Sequence, residues 1–472
     1  MSSKGLGSSS AKIRLLSVAL MGLGLVALVQ QQILLRRPPR LRSVAIQSMR
    51  SGAAALDVRF SRTMNRKSVA ENSGLFPDQP HQWFGQQDQF RLLLDPGAVI
   101  RSPQRLVLAG KDQRGLALPN HSLWWDPRST LVAVVVEEEG EQLKLRRRDG
   151  SWLPLSAMEQ RILQLEPLGN GEGVAFVTDN DPSKLEVLLR QLTPRAISDQ
   201  AQQLAEPLPG AIQSLASGSL LFAHLSSNQR GELLVQVGGI EAGSDRTWIR
   251  SVNAKRRDLN LEVAGAIRLL PDGSGMVVPS YDGLVLLPMN PDRNRNASQS
   301  LPGSRELKSF CTGSGRAVLL RNWPDYRRSI ELVIPGQPPR QVWLGEAGVM
   351  ATACDNRGEK IWIVLRDASP TLRDELLLLN SSGTVLKRRS LPGWYLASGA
   401  ILDVDPATNR LLTVMTDGDG AQRRAALIDG SSLEFELLKP QVVLAKNRAT
   451  TRTQLPLKHM KQGGFTSSIG TN

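Results

Sequence analysis

The sequence predicts an all-β chain in two parts: a β-sandwich, then a roughly seven-bladed β-propeller, both behind one N-terminal transmembrane helix. Three observations carry that reading. Short turns recur seven times between residues 125 and 415, within a propeller expected over 126–446, strand-like segments alternate over 43–125, and an apolar stretch fills 15–35. The turns are rich in Gly, Asp, Pro, Asn or Ser, and each precedes an apolar run. They are 125–128 before 131–136, 169–171 before 174–177, 216–218 before 220–225 and 271–275 before 276–278. The series continues with 312–315 before 317–320, 355–358 before 361–365 and 405–408 before 411–415. The runs begin about 47 residues apart, the spacing of one four-stranded blade per repeat.

Hairpin partners follow the runs at 185–189, 231–237, 283–287, 329–334 and 375–379, and 441–445 is a further strand able to close the ring on the first or last blade. Residues 447–472 are polar, basic and aperiodic, and the sequence predicts a disordered tail there.

Charge tells where the chain's partners lie. The formal charge is +14, but residues 1–50 hold +8 without an acid and 447–472 hold +4 without an acid, leaving +2 for everything between. Nucleic-acid binding needs a basic stripe on a folded face, and this distribution argues against it.

The basic segment 1–14 carries Lys4, Lys12 and Arg14 ahead of the apolar stretch 15–35. A positive start followed by an apolar run is how an export signal begins. A small-x-small cleavage site is missing, since Val29 stands where a small residue is wanted and Gln30–Gln32 follow. The 21 residues of 15–35 would rise roughly 31 Å as a helix, so the stretch reads as an uncleaved single-pass anchor. Orientation is pulled two ways. Arg36, Arg37, Arg40 and Arg42 outweigh the basic residues before the anchor and favour a cytoplasmic body. The linker 36–42, with Pro38 and Pro39, is stiff and extended.

Within 43–125, residues 55–60 alternate apolar and polar, and 90–94 and 105–109 are two more strands separated by the turn former Asp95-Pro96-Gly97. The segment Val58-Arg59-Phe60-Ser61-Arg62-Thr63-Met64-Asn65-Arg66-Lys67-Ser68-Val69 resembles the Phe-Ser…Met-Asn…Ser-Val signature of the bacterial Ig-like domain of surface-layer type. Trp83 and the closing turn Asp112, Gly115, Leu118 fit the same pattern, whereas the opening at 46–53 departs from it. The resemblance implies a sandwich that serves as a spacer or binding module in an exported bacterial protein, and it places the body on the exported, periplasmic side. In the packing reading, Phe60 and Met64 fill the sandwich while Ser61 and Asn65 cap an inter-strand turn. The repeats that follow are similar to divergent WD-repeat or YVTN-type blades in period and strand pattern, although no WD dipeptide set is present.

The residues suited to chemistry are scattered. His81, His121, His224 and His459 form no pair at metal spacing, though His224 sits in an apolar run that can border the channel. Asp179-Asn180-Asp181, Asp403-Val404-Asp405 and Asp417-Gly418-Asp419-Gly420 offer oxygen ligands, but a calcium loop from Asp417 needs Glu where Ile428 stands. Such residues make tight turns for backbone reasons alone. Trp152, Trp248, Trp343 and Trp394 read as outer-strand residues packing between blades, or as a ligand ring. Cys311 and Cys354, one repeat apart, read either as small buried hydrophobes or as a pair across adjacent blades.

No catalytic, cofactor or metal residue is assigned. The expected function is a membrane-anchored, non-enzymatic envelope platform that binds a protein partner through its propeller. The alternative is a hydrolase or lyase working in the channel on a sugar, lactone or peptide.

Overall fold

The computed structural model describes residues 20–32, 36–48 and 54–448, except 96–97, 182–183, 194–196, 202–203, 205, 240, 242, 262, 290–297, 368–371, 419–421 and 439–441. Residues 20–32 form a helix, α1, whose side chains are all exposed. Among the described residues no helix is long and apolar enough to cross a membrane. The expected crossing over 15–35 falls partly on residues outside the described ones. The described helix rises only about 20 Å, and 15–19 and 33–35 lie outside the described residues.

Seven strands follow: β1 (Leu41–Ser48), β2 (Ala54–Phe60), β3 (Gly74–Phe76), β4 (His81–Gln86), β5 (Gln89–Leu94), β6 (Gln104–Leu108) and β7 (His121–Trp125). They make two sheets, ordered β1-β2-β5-β4 and β3-β6-β7. Period-two alternation turns Leu56, Val58, Phe60 and Leu92 of the first sheet toward Leu75, Leu106, Leu108 and Trp125 of the second, in one core. Phe60 and Met64 are buried there, as the packing reading expects. Asn65 does something different. It caps a short helix, α2 (Arg66–Asn72), accepting the Ser68 N–H at 3.2 Å, and so satisfies a first-turn donor. Ser61 Oγ accepts the Arg40 N–H at 2.9 Å and fastens the linker.

The rest of the described chain forms seven further sheets. Blade 1 contains β8 (Thr130–Glu137), β9 (Gly140–Arg146) and β10 (Trp152–Pro154). Blade 2 contains β11 (Ile162–Pro167), β12 (Gly173–Asp181), β13 (Lys184–Leu192) and β14 (Pro209–Gly218). Blade 3 contains β15 (Leu220–Ser227), β16 (Leu233–Gly239), β17 (Arg246–Arg250) and β18 (Arg256–Leu259). Blade 4 contains β19 (Arg268–Leu269), β20 (Gly275–Ser280), β21 (Gly283–Pro288) and β22 (Gln299–Pro302). Blade 5 contains β23 (Arg305–Cys311), β24 (Arg316–Asn322), β25 (Arg328–Val333) and β26 (Arg340–Gly345). Blade 6 contains β27 (Gly348–Cys354), β28 (Lys360–Asp367), β29 (Arg373–Asn380) and β30 (Val385–Ser390). In blade 7 the innermost strand is split into β31 (Trp394–Leu396) and β32 (Asp403–Asp405), both paired to β33 (Arg410–Asp417), with β34 (Arg423–Asp429) and β35 (Phe435–Leu437) outside.

The last strand, β36 (Val442–Arg448), pairs antiparallel with β8 and completes blade 1 from the far end of the chain. Ring closure by the expected late strand thus removes two free edges at once. The tail beyond it, 449–472, lies outside the described residues.

Six of the seven sequence turns mark the start of a blade's second strand. Blade 3 is the exception: 216–218 ends β14 and the run 220–225 is the innermost strand β15. The equivalent turn is Asn228–Gly231, where Asn228 Oδ1 accepts the Arg230 and Glu232 N–H groups at 3.0 and 3.1 Å.

Neighbouring blades share apolar cores. One spans blades 6, 7 and 1, with Trp362, Leu411 and Ala133 among its members, and another joins blades 5 and 6 through Val318, Ile330 and Ile363. Full burial of each such aliphatic side chain contributes roughly 1.5–3 kcal/mol.

Candidate functional site

Three places carry the chemistry this ring displays: the inner wall, the clamp to the sandwich, and the cleft outside blades 2 and 3.

Along the inner wall, small polar side chains tie blade to blade where the strands converge. Glu166 of β11 is fully buried, and its Oε1 accepts the Ser227 N–H at 2.7 Å. Ser227 Oγ accepts the Gly169 N–H at 3.1 Å, and Ser226 Oγ accepts the Leu269 N–H at 3.0 Å. Ser309 and Thr352 bond through their hydroxyls at 2.9 Å. Arg268, on β19, keeps some exposure. Burial nevertheless pushes its guanidinium down to about 10, while Glu166 and Glu306 pull it back up.

Cys311 and Cys354 form a disulfide, with Cα atoms 5.1 Å apart, joining the last residues of β23 and β27. The reading of two merely packed thiols is corrected. One repeat of spacing puts both at the same end of the innermost strands of adjacent blades, where those strands lie side by side. Gly313 N–H donates to the Asn356 carbonyl at 2.9 Å just beyond the bond.

The sandwich is clamped to blades 1, 2, 6 and 7. Trp124 and Ser198, on the β13–β14 connection, exchange two backbone hydrogen bonds of 2.5 and 3.0 Å. Ile100 N–H donates to the Ala407 carbonyl at 2.7 Å, and Ala407 belongs to the sandwich core. Arg357 faces Asp95 at 3.5 Å, and just past the sandwich Ser129 Oγ donates to Asp405 at 2.7 Å, tying the start of blade 1 to blade 7. At the junction the buried Asp126 carboxylate holds Arg128 at 2.8 Å and Arg148 at 2.9 Å. The hydrogen bond to Asp126 raises the Arg128 pKa.

A cavity of about 510 Å³ opens between the end of β14 and blade 3. Its walls include Leu215, Leu220, Val237, Arg246, Trp248 and Arg256. The Arg256 guanidinium lies 4.2 Å from the Trp248 ring centroid, a cation–π contact, and also pairs with Asp258 at 2.6 Å.

The residues weighed from sequence fall as follows. His224 lies on β15 with its ring 5.2 Å from that of Phe222. His81 bonds the Gln79 carbonyl through Nδ1 at 2.8 Å, His121 opens β7, and His459 is outside the described residues. The four tryptophans are not equivalent. Trp152 and Trp343 are on outer strands, Trp248 is on the third strand of blade 3, and Trp394 is on the inner side of blade 7. Asp405 is occupied by Ser129, Thr408 and the Ala407 N–H, and Asp417 accepts the Gln422 N–H at 3.1 Å. Asp179 faces Arg161 at 3.7 Å, while Asn180 bonds Glu159 and accepts the Gln160 N–H at 2.8 Å. Asp403 is buried on β32, and Asp419 and Gly420 are outside the described residues. Among the described residues no cluster of three or more His, Cys, Asp or Glu is placed to hold a metal.

No protein-family model matches the chain, and no curated protein matches it. Solved structures do resemble it. TolB from Acinetobacter baumannii is 10% identical, with 74% of this chain and 79% of that one covered and a TM-score of 0.40. The β-propeller domain of the Trilobed protease from Pyrococcus furiosus is 11% identical over 72% and 96%, with a TM-score of 0.43. A putative 6-phosphogluconolactonase from Bacteroides uniformis is 13% identical over 68% and 100%, with a TM-score of 0.45. The propeller architecture rests on the strand order of this chain itself.

Proposed function

We propose that this protein is a membrane-tethered, non-enzymatic interaction platform of the bacterial envelope. An Ig-like sandwich holds a seven-bladed propeller in a fixed attitude on the exported side, for a protein partner to bind. The clamp carries this reading. Backbone bonds, a shared core residue and the Asp126 cluster lock the sandwich to four blades, so the sandwich orients the propeller rather than spacing it. Two observations support the tether and its side. The described apolar residues of α1, Leu20 through Val29, are 52–75% exposed, a surface that a lipid phase covers. The disulfide belongs to oxidising compartments.

The second reading, a channel hydrolase or lyase, has the Glu166, Arg268 and Glu306 group as its material. The buried Glu166 carboxylate is engaged in joining blades 2 and 3, which favours a structural role.

The test is to purify the full-length chain from its native membrane in mild detergent. Resistance to alkaline extraction and a stoichiometric copurifying protein are expected. Release by alkali, or a solitary protein that turns over a sugar, lactone or peptide, would overturn the proposal.

A further inference from the structure

The outer strands of the seven blades differ in one respect that bears on assembly. An outer strand presents a row of backbone groups on its free edge, and proteins blunt such edges by shortness, charge or proline. Six of the seven edges here are blunted by shortness or charge. β10, β22 and β35 are three or four residues long, and the first two end in proline. β18 carries Arg256, Arg257 and Asp258, β26 carries Arg340, and β30 carries Lys387, Arg388 and Arg389. β14 opens on Pro209 and its pairing to β13 shifts register twice, but it is ten residues long, exposed over most of its length, and has no charged side chain in Pro209–Gly218. Leu208, Ile212 and Leu221, at 58, 40 and 58% exposed, add apolar surface beside it.

We propose that β14 is the interface at which two copies of this chain pair, antiparallel, into an eight-stranded sheet continuous through both second blades. The occupant follows from the chemistry of the strand. In antiparallel self-pairing about a two-fold axis, the residue on the axis faces its own copy and its neighbours face near-copies of themselves. A strand with like charges at its centre repels itself in that arrangement, as β30 would through Lys387 and Arg388. At the middle of β14 stand Gln213 and Ser214, neutral groups whose side chains bond Arg250 at 3.3 Å and Glu186 at 2.8 Å within the chain and bring no charge of their own to the edge. β13 and the connection reaching Ser198 hold the strand in place from behind, through the Thr193 N–H to Leu208 carbonyl bond of 2.9 Å and the pairing of β14 to β13. The inference goes beyond the platform reading and stands whether or not the chain is membrane-tethered.

Cysteine scanning tests it in the full chain, in native membranes, with Cys311–Cys354 left oxidised. Single cysteines replace each residue from 211 to 216 and, as a control, from 385 to 390. One position in 211–216 is expected to form an intermolecular disulfide about tenfold faster than its neighbours, because directly opposed residues are closer than diagonal ones. No position in 385–390 should do so. A Gln213→Lys, Ser214→Lys double variant should dimerise about tenfold more weakly by sedimentation, whereas Gln213→Ala, Ser214→Ala, which gives up the same bonds to Arg250 and Glu186 without adding charge, should dimerise as the wild type does. Absence of crosslinking along β14, or equal crosslinking along β30, would overturn the proposal. So would cysteines at 211–216 that stay uncrosslinked yet shielded from maleimide in the membrane, since that result gives the edge to another protein's strand.

Discussion

Blades 2 and 6 have the same four-stranded build and each ends in an exposed outer strand, yet they are finished in opposite ways. Blade 6 is stapled on both sides. Cys354 bonds it to blade 5, and Trp362 Nε1 donates to the Gly430 carbonyl of blade 7 at 2.9 Å. The buried Asp374 holds Arg366 at 2.6 and 2.7 Å and accepts the Leu396 N–H of blade 7 at 2.6 Å. Its edge, β30, is armed with three consecutive basic residues. Blade 2 reaches the sandwich through Ser198 and leaves an uncharged edge of ten residues. One blade is built to hold the ring shut. The other is built to be added to.

The largest effect should come from Asp374→Ala, which leaves the buried Leu396 N–H unpaired and the half-buried Arg366 guanidinium with the Leu396 carbonyl alone of these partners. A loss of about 3–5 kcal/mol is expected, read by denaturant unfolding. Next comes the staple. The bond closes a loop of 43 residues, and removing it with paired Cys311→Ala and Cys354→Ala should cost about 2–4 kcal/mol. The same change should leave β14 pairing intact, which separates ring integrity from edge chemistry. Replacing Lys387, Arg388 and Arg389 with threonine should make β30 resemble β14 at a stability change within about 0.5 kcal/mol. The expected outcome is a second self-association mode in sedimentation. A strictly unchanged oligomeric state would mean that charge does not distinguish the two edges.

The smallest effect concerns Asp355, in the turn after Cys354. Burial raises its pKa, against the hydrogen bonds of the Lys360 and Glu359 N–H groups, which lower it. A carboxyl with a raised folded pKa gives its full contribution below the unfolded value of about 3.9 and loses it as pH rises through the folded value. Asp355→Asn should therefore gain on the wild type by about a degree or two in melting temperature as pH climbs from below 4 toward neutrality.

Much of this architecture was legible because second strands of blades are buried on both faces and read as unbroken apolar runs, such as 131–135 and 361–365. The misphasing at blade 3 has the same cause. β14 and β15 are joined through Ser219 alone, and the inner strand β15 is as apolar as a second strand, so Gly218 looked like the opening turn. The tryptophan spacing misled because similar separations along the chain fall on different strands when connections vary in length. The β13–β14 connection alone runs from residue 193 to 208. Cysteine spacing showed positional equivalence, but convergence of the two side chains depends on how blades meet at the axis. Helix α2 hid behind a motif read as an inter-strand turn. The docking edge left little trace, since a half-exposed neutral strand such as Gly210–Ser217 has no strong period.

The most direct test of the account is amide hydrogen exchange of the full chain at low and high protein concentration, compared between residues 209–218 and 385–390. The account predicts that exchange along β14 slows with concentration while β30 stays unchanged. Concentration-independent exchange along β14, or equal slowing of both strands, would contradict it.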